Sequence, residues 1–358
     1  MNRVIIEQFN LLAKQIQDEM YAAKIDNNIK EMNMHKFRLK NVKRVINIIK
    51  YFEEEITDIK QLKGLPGVGK GTIQRIQEIL DTGHLSELET GAKISNETKT
   101  TINSLKELES VIGIGKELAT DLIEKYKITS VAQLKKEYKA GRIKLNHQVE
   151  LGLKYYGIVK GDIPREETIA IRKFLKKVAA DIDEGLELTI CGSFRRGREK
   201  SGDIDVLIYH PEVLKKDQVM NPEEYGFSSY LEEFTNALTA TDFLLDDMTD
   251  KDPQIKYMGF CKYKNNPVRR IDIRWIPYNS LATGMLYFTG PYELNKAMRE
   301  EAKRRKMKLN EYGLYKMNKD GEMKVIKTAT EKDVFDALGM SYLSPEQRDT
   351  YHMGKENK

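Results

Sequence analysis

The sequence predicts an α+β protein, a helical first part followed by a mixed sheet with helices. Three observations predict it. Apolar residues recur at three- and four-residue steps through the first fifty positions. Two apolar-Gly-apolar-Gly turns, at Leu65–Lys70 and Val111–Lys116, each open a helical pattern. β-Branched and aromatic runs, some of them alternating, begin after residue 186. Between the two textures, Gly152, Gly157, Gly161 and Pro164 suggest a boundary.

The composition bounds the answer. A chain of 358 residues has room for two or three domains, at about 150 residues each. Hydrophobic residues make up 40%, enough for real cores, and 60 basic against 55 acidic residues leave a net charge of +5. Such balanced charge excludes a disordered polyelectrolyte. The pI of about 8.8 leans toward an anionic partner. Cys191 and Cys261 are too few for a disulfide framework or a Cys-rich zinc site, so a reducing, intracellular setting is expected. No run approaches the roughly 18 apolar residues of a membrane span. Glu7 interrupts the apolar start, which reads as a helix and not as a signal peptide.

In order, Val4, Ile5, Phe9, Leu12, Ile16 and Met20 mark a first helix. A second runs from about Lys36 to Phe52, with Phe37, Val42, Val45, Ile49 and Phe52 apolar. Lys36, Arg38, Lys40, Lys43, Arg44 and Lys50 give it a basic face, which taken alone is most simply a solvated one. The two Gly-x-Gly turns follow, with helices ending near Gly83 and Tyr126. They look like helix-hairpin-helix motifs. Gly67, Gly69 and Lys70, and again Gly113, Gly115 and Lys116, would let a phosphate approach backbone N–H groups at a helix N-terminus. Such contacts grip a DNA backbone without reading sequence. Gly64–Lys70 also spells most of a P-loop, but Gly71 replaces the Mg²⁺-binding Ser or Thr and no buried strand precedes it. After the boundary come a helix over Glu166–Asp183 and strands over Glu187–Cys191, Ile204–Tyr209, Ile255–Lys262 and Arg269–Pro277.

The chemistry concentrates in Gly192-Ser193-Phe194-Arg195-Arg196-Gly197 and Ser201-Gly202-Asp203-Ile204-Asp205. Two carboxylates two apart on a strand face one side and repel unless a cation neutralises them. Hard oxygen ligands suit Mg²⁺. Asp272, in Arg269-Arg270-Ile271-Asp272-Ile273-Arg274, is a third strand acid. Three carboxylates on adjacent strands can hold two ions about 3.5–4 Å apart and clamp a phosphoryl displacement. Ser193 and Arg196 offer a hydroxyl and a guanidinium to a triphosphate. A lone D-x-D is common on surfaces, and Asp272 alone could pair with Arg270 or Arg274. The combination points to a nucleotidyltransferase.

At these residues the chain resembles the family X DNA polymerases, most closely the beta type. The likeness runs through Leu65–Gly69, Gly152–Tyr155, Ile163–Glu167, Cys191–Gly197, Arg269–Arg274, Leu286–Gly290 and Leu309–Tyr312, nearly the whole chain in the family's order. It implies an N-terminal all-helical helix-hairpin-helix domain, then a polymerase beta-like nucleotidyltransferase palm with fingers and thumb. The expected divisions are a 5′-phosphate or lyase-like domain at 1–86, a DNA-binding subdomain at 87–162, the palm at 163–276 and a nascent-base-pair subdomain at 277–358. An additional N-terminal module, as some relatives carry, is not expected.

By resemblance, Asp203 and Asp205 ligate both metals, and Asp272 ligates the catalytic one. Ser193, Arg196, Ser201 and Gly202 hold the triphosphate. Tyr287 and Phe288, ahead of Gly290, lie against the sugar and disfavour a 2′-hydroxyl. Asn295 and Arg299 face the minor groove of the nascent pair, although four apart on a helix they could equally be ordinary polar surface. Arg274, with Glu311 and Tyr312, forms the family's switch, the arginine tying up a catalytic aspartate in the open state. Arg38, Lys63, Arg75 and Arg270 join the hairpin residues as DNA contacts.

Departures from the pattern carry information. Arg75 stands where the beta type has its Schiff-base lysine, and arginine is a poor amine nucleophile. Gly71 and Glu87 replace two further lysines, and Val42 a tyrosine. Strong 5′-deoxyribose-phosphate lyase activity is therefore not expected, and Lys70 could substitute only in a shifted register. Asp162 and Tyr292 replace an arginine and an aspartate of the nucleotide pocket. Only about Lys262–Pro267 separates the last two strands, too short a loop to take the template's place.

The expected function is template-dependent filling of short gaps in DNA repair, including base-excision repair. A template-independent or ribonucleotide-adding transferase and a non-catalytic DNA-structure binder are the alternatives. Two Mg²⁺ ions, with Mn²⁺ as substitute, and a monovalent cation (Na⁺ or K⁺) at the hairpin turns are the expected cofactors. Gapped or nicked double-stranded DNA and dNTPs are the expected partners of a monomer without membrane attachment. Nucleus, cytoplasm and virion are left open.

Overall fold

The computed structural model describes residues 2–52, 54–65, 67–90, 94–251, 253–318 and 322–353. Its contacts separate two compact units. One is the chain up to Lys144 together with Thr350 and the residues just after it; the other is Leu145–Asp349. Pro66 of the first hairpin motif and the last five residues of the expected 277–358 segment lie outside the described residues.

The first unit is helical: α1 (Arg3–Ile25), α2 (Ile29–Lys50), α3 (Lys70–Thr82), α4 (Asn96–Glu109), α5 (Lys116–Glu124) and α6 (Val131–Lys139). The apolar stripe of α1 is buried as its spacing requires, with Phe9, Leu12 and Ile16 against Val45 and Ile49 of α2 and Ile76 of α3. Helix α2 begins before the expected Lys36, because Asn28 caps it by accepting from the Glu31 amide. Its inward face is His35, Leu39, Val42, Val45 and Ile49. Phe37, expected on the apolar face, is 65% exposed and belongs to the basic side. Helix α1 also reaches past residue 86. Tyr21 donates to Glu109 at 2.6 Å, Lys24 donates to the Thr120 hydroxyl at 2.8 Å, and Lys106 pairs with Asp18.

The two hairpin turns are the same structure twice. Gly67 and Gly113 both have φ 92°. Gly69 and Gly115, which cap α3 and α5, have φ/ψ of −89°/174° and −88°/175°. A short 3₁₀ turn (Ile59–Leu62), not a strand, precedes the first of them, so the P-loop alternative fails on structure.

The second unit opens with α7 (His147–Tyr155), which packs on the sheet through the stacked Tyr155 and Phe260 rings and the Lys154–Asp246 pair. Then follow β1 (Ile163–Pro164), α8 (Arg165–Ile182), β2 (Glu187–Ile190), α9 (Gly192–Arg195), β3 (Lys200–Ser201), β4 (Ile204–Tyr209), α10 (Lys216–Met220), α11 (Tyr230–Ala240), β5 (Leu244–Asp247), β6 (Lys256–Cys261) and β7 (Arg269–Trp275). The last part is α12 (Leu281–Thr289), α13 (Tyr292–Arg304), β8 (Met307–Asn310), β9 (Gly313–Met317), β10 (Met323–Ile326) and α14 (Glu331–Ala337).

The main sheet has the order β2-β4-β7-β6-β5, with β4 and β7 parallel and the other neighbours antiparallel. One face is buried: Ile204, Val206, Ile208, Ile271 and Ile273 pack with Ile171 and Leu175 of α8 and Phe234 and Leu238 of α11. Alternation therefore turns the residues between them to the other face. A small ladder pairs β1 with β3, and a three-stranded antiparallel sheet runs β10-β9-β8. The sequence reading missed both, since two-residue strands and the largely exposed, lysine-bearing β10 carry no apolar alternation. Among the described residues no helix is long and apolar enough to cross a membrane.

Candidate active site

The parallel β4–β7 register sets Asp205 opposite Asp272. Asp203 stands exposed just before β4. The isoleucines flanking each acid are buried on the opposite side, so core packing holds the carboxylates on one face. A one-residue slip would bury them, which makes this register costly to change.

The local electrostatics are those of crowded, buried carboxylates. Burial, then the charges of Asp203 and Asp272, push the Asp205 carboxyl up to about 7. Arg196 and Arg270 oppose that shift. Asp272 is also raised by burial, against the opposing charge of Arg270. Arg270 donates to Asp272 Oδ1 at 2.6 Å and to the Gly259 carbonyl at 2.6 Å. This arginine, expected on DNA, here holds one of the three clustered carboxylates. Among the described residues no three acidic, His or Cys side chains are gathered closely enough to hold a metal as they stand. The all-oxygen donor set and the mutual repulsion fit a hard divalent cation once Asp272 leaves Arg270.

Gly192 belongs to this geometry. Its φ is +54°, and a Cβ there would overlap Asp205 Oδ2. The Cys191 amide donates to the Asp205 carbonyl at 2.7 Å. The turn that follows β2 is thus pressed onto β4 at its acidic residue. It presents half-buried Ser193 and Arg196 beside the carboxylates, while β1–β3 pairing buries Ser201 and leaves Gly202 exposed before Asp203.

Helices α12 and α13 carry the remaining residues that the sequence singles out. Tyr287 and Phe288 meet edge to face with centroids 4.9 Å apart. Asn295 donates to the Tyr287 carbonyl at 2.7 Å, and the Arg299 guanidinium lies 5.0 Å from the Tyr287 ring centre. Arg299 also approaches Glu311 at 3.9 Å. Gly290 turns the chain with φ +67°, beside Arg196. Arg274 lies over the Phe288 ring at 5.5 Å and makes no ion pair with an aspartate among the described contacts. Tyr312 sits under Lys216, 4.4 Å from its ring centre, and its carbonyl accepts from Ser280.

Three family models match the chain. A helix-hairpin-helix domain covers residues 5–85, the DNA polymerase beta palm 162–278 and the DNA polymerase beta thumb 284–349. The chain is 31% identical over 326 residues to DNA polymerase lambda of Rattus norvegicus, covering 88% of this chain and 53% of that protein. It is 31% identical over 322 residues to DNA polymerase lambda of Arabidopsis thaliana, covering 85% and 56%. It is 25% identical over 371 residues to DNA nucleotidylexotransferase of Xenopus laevis, covering 97% and 68%. The chain belongs to the family X DNA polymerases. It spans about half the length of the two lambda relatives.

As a family X chain, its N-terminal unit shows where the beta-type pattern has changed. A cavity of about 480 Å³ between α2 and the first hairpin turn is lined by Arg38, Asn41, Arg44, Gly69, Thr72 and Arg75, among others. Arg38 and Arg75 are both held by Glu87, and Arg38 also by buried Glu19. Arg44 is packed against Gly67, and its Nε is buried without a partner. Lys63 follows the 3₁₀ turn and is exposed. At Gly69 and Gly115 a Cβ would meet nothing of the protein. Their dihedrals are open to any residue, so nothing within the protein itself requires glycine at either position. Lys70 and Lys116 begin the helices there, with Lys116 over the Tyr21 ring at 5.4 Å.

The sequence reading missed the C-terminal carboxylates. Glu331 takes Arg195 at 2.6 Å and Arg348 at 2.8 Å, and Asp349 takes Arg196 and Arg198. The run of arginines at 195, 196 and 198 was the available signal; its partners lie more than 130 residues away.

Proposed function

We propose that this protein is a template-dependent DNA polymerase that fills short gaps in DNA repair, joining a dNMP to a primer 3′-hydroxyl and releasing pyrophosphate. The observation that carries this reading is the Asp205–Asp272 register with Asp203 beside it. Asp203 and Asp205 would hold two Mg²⁺ ions, with Mn²⁺ as substitute, and Asp272 would hold the one at the primer terminus. Bound there, the ions would supply an activated hydroxyl nucleophile and neutralise charge on the transferring phosphoryl.

The chain's own groups do the rest. Ser193, Arg196, Ser201 and Gly202 would bind the triphosphate. Tyr287 and Phe288 would press on the sugar. Asn295 and Arg299 would follow the minor-groove edge of the new pair, with Glu311 releasing Arg299. Arg274 and Tyr312 would move with closure. The two hairpins would hold the DNA backbone through open glycine turns and N-terminal helix amides, with a monovalent cation at the turn carbonyls.

Gapped or nicked DNA and dNTPs are then the partners, and the functional segments are those expected at 1–86, 87–162, 163–276 and 277–358. The Glu87-held arginines and the absence of a lysine at position 75 support a pocket that binds the 5′-phosphate without lyase chemistry. The Xenopus relative bears the name of a nucleotidylexotransferase, which keeps template-independent addition as the second reading. The link between β6 and β7, only residues 262–268, favours template use.

Primer extension on a one-nucleotide gap bearing a 5′-phosphate tests this, with each dNTP singly and a template-free control. Incorporation of the complementary nucleotide alone is expected. Addition without template would replace the reading with a transferase; DNA binding without incorporation would leave only a structural binder.

A further inference from the structure

We propose that Asp349 is a positioning residue for the incoming nucleotide, acting through Arg196; the inference rests on the polymerase reading above. Asp349 is the last residue matched by the thumb model, whereas Arg196 belongs to the palm. Its carboxylate is divided between two guanidinium groups. Oδ1 accepts from Arg196 Nε at 2.9 Å, and Oδ2 accepts from Arg198 Nε at 2.6 Å. The carboxylate is only 9% exposed and the Arg196 side chain 15%.

Arg196 is fixed at a second point. Its Nη1 donates to the Thr289 carbonyl at 2.6 Å. Thr289 is itself fully buried, and its hydroxyl accepts from Arg195 at 2.6 Å. Nε and Nη1 are thus engaged, and Nη2 makes no bond among the described residues. A guanidinium held at two nitrogens keeps its third as a directed donor. The turn that carries Arg196 is pressed onto the carboxylate strand: a Cβ on Gly192 would overlap Asp205 Oδ2, and the Arg196 amide donates to the Gly192 carbonyl at 3.4 Å. Arg196 therefore stands one helical turn from the carboxylate cluster.

Two arginines this close would repel without an anion between them. Asp349 cancels one of the two charges and sets the rotamer of both. Arg196 keeps its Nη2 donor for a phosphate oxygen. Without the carboxylate, Arg196 loses its Nε anchor and swings away from Arg198. Binding a triphosphate must then order a side chain that is ordered beforehand in the native protein.

The test is a double-mutant cycle on the full chain. The Kd of a complementary dNTP is measured on a gapped duplex with a dideoxy-terminated primer, and KM and kcat on the extendable one. Asp349→Ala is expected to raise Kd and KM about tenfold, the worth of one charge-assisted hydrogen bond, with kcat changed less than about threefold. Asp349→Asn, which keeps the shape and one acceptor, is expected to fall between; it carries the test if the alanine variant does not fold. In an Arg196→Ala background, Asp349→Ala is expected to add less than about twofold. Unchanged Kd, independent multiplying effects in the cycle, or tighter binding in Asp349→Ala would each overturn the inference, the last by showing the carboxylate to be a competitor of the triphosphate. If the unmutated protein binds no dNTP on gapped DNA, the polymerase reading fails instead.

Discussion

Arg75 donates from Nε and Nη2 to the two oxygens of Glu87, at 2.6 and 3.1 Å, and Arg38 adds a third bond to the same carboxylate at 3.0 Å. This is the arrangement two arginines adopt around a phosphate. The Arg75 bond is the first cause holding the Glu87 carboxyl below its usual range, so it is ionised at neutral pH. Glu87→Gln is expected to tighten binding to a 5′-phosphorylated gap, relative to a 5′-hydroxyl gap, by about three- to tenfold, the modest worth of part-exposed pairs. Borohydride trapping of an abasic 5′-end is expected to leave no covalent adduct at position 75. An adduct on Lys70 or Lys63 would mean that lyase chemistry has moved and not disappeared.

Gly192→Ala adds a single carbon where Asp205 Oδ2 lies and forces a side chain into φ +54°. The left-handed backbone alone costs about 1–2 kcal/mol, and the overlap must displace the carboxylate. We expect nucleotide incorporation to fall by at least about a hundredfold, by the sensitivity of catalysis to small misplacements, with gapped-DNA affinity unchanged. Gel-shift and single-turnover assays on the same preparation separate the two. Retained activity would show that Asp205 can shift without loss.

Alanine at Gly69 and Gly115 is a different experiment. The backbone there accepts any residue, and nothing in the protein opposes a Cβ. The melting temperature of the double variant is expected to hold or rise, while affinity for duplex DNA falls about tenfold. The salt dependence should become shallower if phosphate contacts are lost. A variant that melts lower and binds normally would make these glycines structural.

The pH behaviour of Asp205 has a definite sign. Its folded carboxyl, at about 7, lies above the ordinary value of 3.8. In the absence of metal it contributes stability that is complete below the ordinary value and is lost as pH rises through about 7. A divalent cation needs the ionised form, so the stabilisation by Mg²⁺ or Mn²⁺ should grow over the same interval. Thermal melts with and without metal between pH 5.5 and 8.5 check both halves. Asp205→Asn should lessen the pH dependence, leaving the part that comes from Asp272; a metal effect independent of pH would remove Asp205 from the ligand set.

Strands β2, β4, β6 and β7 were legible to within a residue or two, because β-branched runs bounded by turns carry their own period; the edge strand β5, with two aspartates in four residues, was not. Both hairpins were legible because glycine at fixed spacing has few other uses. Helix α2 was harder: its true start depends on the Asn28 cap, and its apolar residues do not all face inward, as exposed Phe37 shows. The β8–β10 sheet gave almost no signal, since its strands are short and half-buried residues in them do not alternate regularly with exposed ones.

By itself the sequence determined the class of chemistry. Asp203, Asp205 and Asp272 stand in strand patterns, and side-chain alternation depends on local sequence alone. Tertiary structure decided how the charges are shared. Glu87 closes on Arg38 and Arg75, Arg270 holds Asp272, and Asp349 holds Arg196 and Arg198. A charged side chain has no period and several partners of equal chemistry. Which one it meets depends on the path of the folded chain, and for Arg196 that partner lies 153 positions away.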